Sequence, residues 1–131
     1  MMYVLDTNTL IYFFKGMGNV SKHLLKVPPK EIAVPTIVLF ELEVGIAKST
    51  SPAKRQKQLQ DLINAVNIFP FGYKEAGYAA TIRVKLEKKG LVIGPYDILI
   101  AAVALSKKST LVTHNIAEFE RVAGLEIIDW Y

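Results

Sequence analysis

Short apolar runs alternate with longer stretches of helical periodicity along this chain. Met2–Leu5 is an apolar run that reads as a short buried strand. Thr7–Lys15 reads as a helix stopped by Gly16 and Gly18, and Val20–Lys26 as a small helix ended by Pro28-Pro29. Ile32–Val34 reads as a second strand. Pro35-Thr36 then starts an apolar helix to about Lys48, with Thr36 as its cap. Ser51-Pro52 is a cap followed by proline at the first helical position, and that helix runs to about Val66. Ile68–Phe71 reads as a third strand and Tyr73–Lys89 as a long helix ended by Gly90. Gly94-Pro95 opens a helix over Tyr96–Lys107. Thr110–Thr113 is a fourth strand, Ile116–Val122 a short helix and Leu125–Ile128 a fifth strand. No internal repeat or low-complexity tract interrupts the series. Strands spaced by helices imply right-handed crossovers and a parallel sheet covered on both faces. The expected fold is α/β: a three-layer α/β/α sandwich on a parallel five-stranded sheet, with residues 1–131 as a single domain.

Composition narrows the picture. Of the 131 residues, 51% are hydrophobic, so a sizeable core is available and disorder is not expected. There are no cysteines. That excludes disulfides and thiolate metal sites and fits a reducing compartment. No basic-then-apolar leader is expected at the start, where the first acid comes at Asp6. The longest apolar stretch, Ile32 to Ala47, is broken by Pro35, Glu41 and Glu43, and is too short and too charged to span a bilayer. A net charge of +4 is compatible with a polyanionic partner.

The chemistry concentrates in acids at the ends of elements. Asp6 closes the first strand where the next helix begins. It either caps that helix, by accepting from the free N–H groups of the first turn, or holds a ligand. The carboxyl ends of parallel strands are where α/β folds place their sites. Asp97 follows Gly94-Pro95-Tyr96 and precedes the apolar run Ile98–Leu105, at the start of a helix expected to be buried. As a simple partner of the helix dipole it would contribute roughly 0.3–1 kcal/mol. Glu41 lies inside the apolar helix, and buried carboxylates are rare unless paired or bound to a cation. It is either a partly buried salt bridge, with Lys48 as partner, or part of a site. Glu41 and Glu43 are two apart and point to opposite sides. Gly45, four residues after Glu41, leaves space beside it. In Thr113-His114-Asn115-Ile116-Ala117-Glu118-Phe119 a strand end again runs into a polar turn. Asn115 as cap with Glu118 at the third helical position would form a relative of the capping box.

In a parallel sheet these helix starts share one edge. Several carboxylates gathered there repel one another unless a hard cation lies among them. Oxygen donors without cysteine or a histidine pattern point to Mg²⁺ or Mn²⁺ rather than Zn²⁺. Such a cluster supports attack of metal-activated water on a phosphodiester.

Leu5-Asp6-Thr7-Asn8, the embedded Glu41, Ile93-Gly94-Pro95-Tyr96-Asp97 with Ile100-Ala101-Ala102, and Leu111-Val112-Thr113-His114-Asn115 with Glu118-Phe119 occur in this order. The set resembles the PIN-domain ribonucleases, and within them the VapC toxins of toxin–antitoxin operons. The likeness runs through to Asp129-Trp130. It implies a Mg²⁺- or Mn²⁺-dependent endoribonuclease acting on tRNA or other structured RNA. It also implies a cytoplasmic homodimer held inactive by a cognate antitoxin. It places Asp6, Glu41 and Asp97 as an acidic triad, with Asp6 and Asp97 on the metal. Glu118 stands as the fourth acid, with Glu120 as the alternative register. Thr7, Asn8, Thr113 and Asn115 are supporting polar groups, and capping of the first helix falls to Thr7, Asn8 or Thr9. His114 is placed as a solvated or substrate-facing residue rather than a general base, and His23 as structural or exposed.

Two other classes compete. Haloacid-dehalogenase-like phosphotransferases also end a strand in Asp-x-Asp-x-Thr, but here Asn8 replaces the second acid and no later Asp-Asp pair exists. An RNA-binding module with a silent site is the non-enzymatic alternative, against which the intact acid set argues. Lys54, Arg55 and Lys57 on one helix, and Arg83, Lys85, Lys88 and Lys89 on another, either contact phosphates or form solvated faces. The first three are the RNA-contact candidates. The apolar helix Ile37–Ala47 and the aromatic segments Tyr12-Phe13-Phe14 and Phe69-Pro70-Phe71 exceed the needs of one small core and predict the dimer.

Overall fold

The computed structural model describes residues 1–131. Five strands, β1 (Tyr3–Leu5), β2 (Ile32–Pro35), β3 (Asn67–Phe69), β4 (Thr110–Val112) and β5 (Ile127–Ile128), form one sheet in the order β3-β2-β1-β4-β5. Every pairing is parallel. Val4, at the centre, lies opposite Ala33 on one side and Leu111 on the other. Seven helices connect the strands: α1 (Thr7–Lys15), α2 (Val20–Leu24), α3 (Thr36–Ala47), α4 (Pro52–Ala65), α5 (Tyr73–Lys88), α6 (Pro95–Ser106) and α7 (Ile116–Phe119).

Successive strand residues point to opposite faces, so a strand buried at every position is covered on both. All residues of β2 and β4 are buried, and Val4 and Leu5 of β1 have no exposed surface. The expected three-layer arrangement is therefore present. α6 belongs to the core, with Ile100, Ala101, Ala102, Val103 and Ala104 fully enclosed. Its small side chains let it lie close to the sheet and to α5.

Several boundaries differ from expectation. The third strand begins at Asn67 rather than Ile68, and the Asn67 side chain donates to the Lys30 and Ile32 carbonyls. The fifth strand shrinks to Ile127–Ile128, because only Leu111 and Val112 are left to pair with it. The last helix ends at Phe119 rather than Val122. Pro29–Glu31 forms a 3-10 turn where only a helix stop was expected. Thr36 is not a cap. It is the first helical residue of α3, and Pro35, extended and without a donating N–H, stands in the cap position. Gly16 does stop α1 as expected, in the left-handed region at φ 67° with its N–H on the Phe13 carbonyl.

The topology has one switch point. From β1 the chain crosses to β2 on one side, and from β4 it crosses to β5 on the other. The crevice beyond the carboxyl ends of two such neighbours is where open α/β sheets bind ligands. Asp6 follows β1 and Thr113 follows β4 at that crevice.

Candidate active site

Asp6 is buried at the end of β1, its backbone N–H donating to the Val112 carbonyl at 3.1 Å. Its Oδ1 accepts the Thr9 N–H at 2.9 Å, so Asp6 itself caps α1. This corrects the assignment of capping to Thr7, Asn8 or Thr9, because the Thr7 and Thr9 hydroxyls are engaged on Glu41 and the Val112 carbonyl. Thr9 instead donates its hydroxyl to the Val112 carbonyl at 3.1 Å, tying α1 to β4. Burial raises the Asp6 carboxyl above its ordinary value; the Thr113 and Thr9 hydroxyls and the Thr9 N–H pull against that rise, and the charge of Glu41 adds to it.

Glu41 is half-buried on α3 and faces α1, where its Oε1 accepts the Thr7 hydroxyl at 2.7 Å. No ion pair with Lys48 forms. Glu43 is exposed, as the two-residue separation requires. The space expected at Gly45 is real: a Cβ there would meet nothing within 4 Å. Glu41 and Gly45 share a cavity of about 340 Å³ with Lys15 and Arg55.

Asp97 sits in the first turn of α6, and Glu118 reaches it from α7. Glu118 Oε1 accepts the Gly94 N–H at 2.6 Å and its Oε2 accepts the Asn115 amide at 2.7 Å. A Cβ at Gly94 would lie 3.4 Å from Asp97 Oδ2 and 3.6 Å from Glu118 Oε1, so the glycine backbone marks the seam between the two acids. Of the two registers, Glu118 is the acid that lies beside Asp97; Glu120 is exposed and makes no such contact. The expected cap at Asn115 does not form: its side chain turns to Glu118, and its backbone N–H donates to the Thr113 hydroxyl at 3.0 Å.

Burial, with Glu118 alongside and the charges of Asp6 and Glu41 nearby, pushes the Asp97 carboxyl up to about 7. Burial also raises Glu118, but the Gly94 N–H, the Asn115 amide and Asp97 outweigh it and hold that group below its ordinary value. The two opposite shifts belong to one interacting pair, with Asp97 the raised member and Glu118 the lowered one. All four acids thus form one electrostatic cluster, because Asp97 feels each of the others.

Every donor in the cluster is an oxygen, which suits a hard divalent cation. No three acids close into a ready-made cage. Mg²⁺ does not need one, since it keeps several waters and takes one or two carboxylates.

Other expected residues fall further out. Asn8 is exposed, and Thr113 is fully buried between Asp6 and the Asn115 N–H. His114 is exposed; its Nδ1 lies 2.8 Å from Asp129 Oδ2 and its ring stacks on Tyr131 at 4.2 Å. His23 is exposed and stacks on Trp130, in agreement with the structural reading. Of the RNA-contact candidates, Lys57 pairs with Asp61 at 2.9 Å. Arg55 turns inward to the Phe14 carbonyl and Gln58. Only Lys54 extends freely. In the sequence Thr9 stood only as a cap and Gly94 only as a helix opener, and Arg121, whose positive charge acts on Glu118, went unnoticed. Thr9 lies three residues past Asp6, the spacing of a cap, and Gly94 precedes a helix-starting proline, so both left a readable signal. Arg121 left none.

The fold and its acid-lined switch point define a PIN-type α/β domain, and the PIN domain family model matches residues 3–125. The sequence is 37% identical to ribonuclease VapC2 of Rickettsia felis over 132 aligned residues, covering 99% of this chain and 98% of that protein. It is 32% identical to the tRNA(fMet)-specific endonuclease VapC of Salmonella typhimurium, covering 98% and 97%. The fold superposes on the crystal structure of VapBC2 from Rickettsia felis bound to a DNA fragment from their promoter, with a TM-score of 0.92, 36% identity and full coverage of both chains. The chain belongs to the PIN-domain family, in its VapC ribonuclease branch.

Proposed function

We propose that this protein is a divalent-metal-dependent endoribonuclease, the toxin of a toxin–antitoxin pair, which cleaves tRNA or another structured RNA. The observation that carries the reading is the Asp97–Glu118 pair at the switch point, electrostatically joined to Asp6 and Glu41. Asp6 and Asp97 are the residues that would hold Mg²⁺ or Mn²⁺. When bound, the cation supplies an activated water and neutralises developing charge on the phosphoryl oxygens.

The chain's own residues prepare the site. Asp6 is aimed by the Thr9 N–H and Glu41 by the Thr7 hydroxyl. Glu118, anchored by Gly94 and Asn115, lies beside Asp97, and burial together with the Glu118 charge favours the protonated form of Asp97 while the site is empty of positive charge. Loss of that proton makes Asp97 a full anion when a cation arrives.

The partner expectations follow the same reading. A cognate antitoxin and a second copy of the chain are the proposed protein partners, in the cytoplasm. No helix is long and apolar enough to cross a membrane. Phe40 on α3 is 50% exposed and meets Tyr96, itself 45% exposed, edge-on at 5.6 Å, leaving apolar surface for such partners. The reading is tested by incubating the purified chain with total RNA in Mg²⁺, in Mn²⁺ and in chelator. Discrete cleavage products that need the metal are expected. RNA left intact under all three conditions sinks the proposal.

A further inference from the structure

The cations expected on RNA are mostly spoken for, but another set is free. On α5 and its last turn, Lys74, Tyr78, Thr81, Lys85 and Lys89 follow one another at three- and four-residue steps, so they share a helical face. With Arg121 they line a groove of about 490 Å³. Four cations line this groove and no acid does. Lys74, Lys85 and Lys89 have no ion-pair partner, whereas Arg83, turned away from the groove, is tied to Glu87 at 3.1 Å.

Arg121 links the groove to the segment that carries the acid cluster. Arg121 donates to the Val92 carbonyl at 2.9 Å, two residues before Gly94, whose N–H holds Glu118. The positive charge of Arg121 is felt at Glu118 itself. The helix rises about 1.5 Å per residue, so the stripe from Lys74 to Lys89 spans about 22 Å. Free cations spaced along a rigid helix suit a partner carrying regularly spaced anions. The Tyr78 and Thr81 hydroxyls between them add donors of the kind that bind phosphate oxygens.

We propose that this groove is the track of the RNA phosphate backbone leading into the acid cluster, an inference that rests on the ribonuclease reading above. It replaces the α4 cations Lys54, Arg55 and Lys57 as the main phosphate contact. Because backbone phosphates carry no sequence information, the groove contributes affinity and direction rather than base choice.

The test measures binding of fluorescein-labelled single-stranded 20-nucleotide RNAs of several sequences, in chelator so that nothing is cut, across a range of KCl concentrations. Each neutralised phosphate contributes about 0.7 to the slope of log affinity against log salt. The triple variant Lys74→Ala/Lys85→Ala/Lys89→Ala should therefore lose about 2 from that slope and bind about 100-fold more weakly at 0.1 M salt, for every RNA. The control Lys54→Ala/Lys57→Ala should keep the wild-type slope. An unchanged slope in the triple variant overturns the proposal. So does an equal loss in the control, which would reduce the effect to net charge. Retained RNA binding with lost binding to phosphatidylserine vesicles also overturns it and assigns the groove to a lipid surface. Wild-type protein that neither binds nor cuts RNA refutes the ribonuclease reading itself, which separates the two failures.

Discussion

Replacing Asp97 by Asn removes one negative charge from the cluster and keeps the side-chain shape. Without a divalent cation the folded carboxyl titrates at about 7, against an ordinary 3.8. Between those values the folded state holds a proton that the unfolded chain has already released. Stability therefore falls as pH rises from about 4 to about 7, and the full cost of the ionised group persists above that window. At full weight the gap corresponds to about 4 kcal/mol. Solvent reaches this half-buried group, which reduces the figure to about 1–2 kcal/mol. Asn abolishes the cost. At pH 8 in chelator the variant should melt about 3–8 °C above wild type, and the two curves should converge near pH 4. Mg²⁺ should raise the wild-type melting temperature by ligand linkage and leave the variant nearly unmoved. Cleavage of RNA in Mg²⁺ should fall at least about a thousandfold, or about 4 kcal/mol of transition-state stabilisation. Thermal melts at pH 4, 6 and 8, with and without Mg²⁺, run beside a cleavage assay on the same preparations. A folded variant that melts no higher than wild type at pH 8 and cuts RNA at the wild-type rate would refute both the proton assignment and the catalytic one.

Three further changes probe the supports. Glu118→Gln keeps an acceptor for the Gly94 N–H but deletes the charge beside Asp97, so the pH window of instability in chelator should shift downward; melts from pH 4 to 8 that match wild type would remove Glu118 as the cause. Thr7→Val breaks the 2.7 Å bond to Glu41 and should slow cleavage about 10-fold or more, at a stability loss of about 1.5 kcal/mol or less. Thr7→Ser should restore the rate, and a Val variant as fast as wild type would mean that Thr7 does not aim Glu41. Gly18→Ala puts a Cβ 2.7 Å from the Tyr131 carbonyl at a residue with φ +63°, so about 2 kcal/mol or more should be lost and the Trp130 fluorescence should report a freed terminal segment. An unchanged melt would show that the terminal segment moves aside without cost.

The parts of the fold that were readable are those where burial writes an unbroken signal. β1, β2 and β4 are buried almost throughout and α6 is fully enclosed from Ile100 to Ala104, and each stands in the sequence as an apolar run between polar or glycine-proline punctuation. β5 is different: two residues, one of them exposed, hold their place only because β4 offers them a neighbour. No local pattern encodes that. Within the site, the acids were readable because carboxylates next to apolar runs are costly unless used. Choosing Glu118 over Glu120 needed three dimensions, since a four-residue helix sets which acid faces inward only once Asn115 and Gly94 are in place. The cations show the reverse. Lys57 has Asp61 four residues on, a pairing visible in the sequence that removes it from the binding set. The α5 stripe has no such neighbours, but its role depends on Arg121 arriving from the other end of the chain.

The opening alternatives for Asp6, helix cap or site carboxylate, are not rivals. A carboxylate offers about four lone-pair positions, and the Thr9 N–H takes one of them. That bond holds the side chain in a single orientation at the switch point, which is what a site residue at a strand end requires. Glu118 shows the opposite balance: both its oxygens carry strong donors, so its capacity is spent on position beside Asp97. Asp97 has no N–H donor of its own and bears the electrostatic strain of the whole cluster. The acid with the fewest protein partners is thus the one with the most to gain from a cation. The same hydrogen bonds that stabilise the helix starts decide which carboxylates remain available for chemistry.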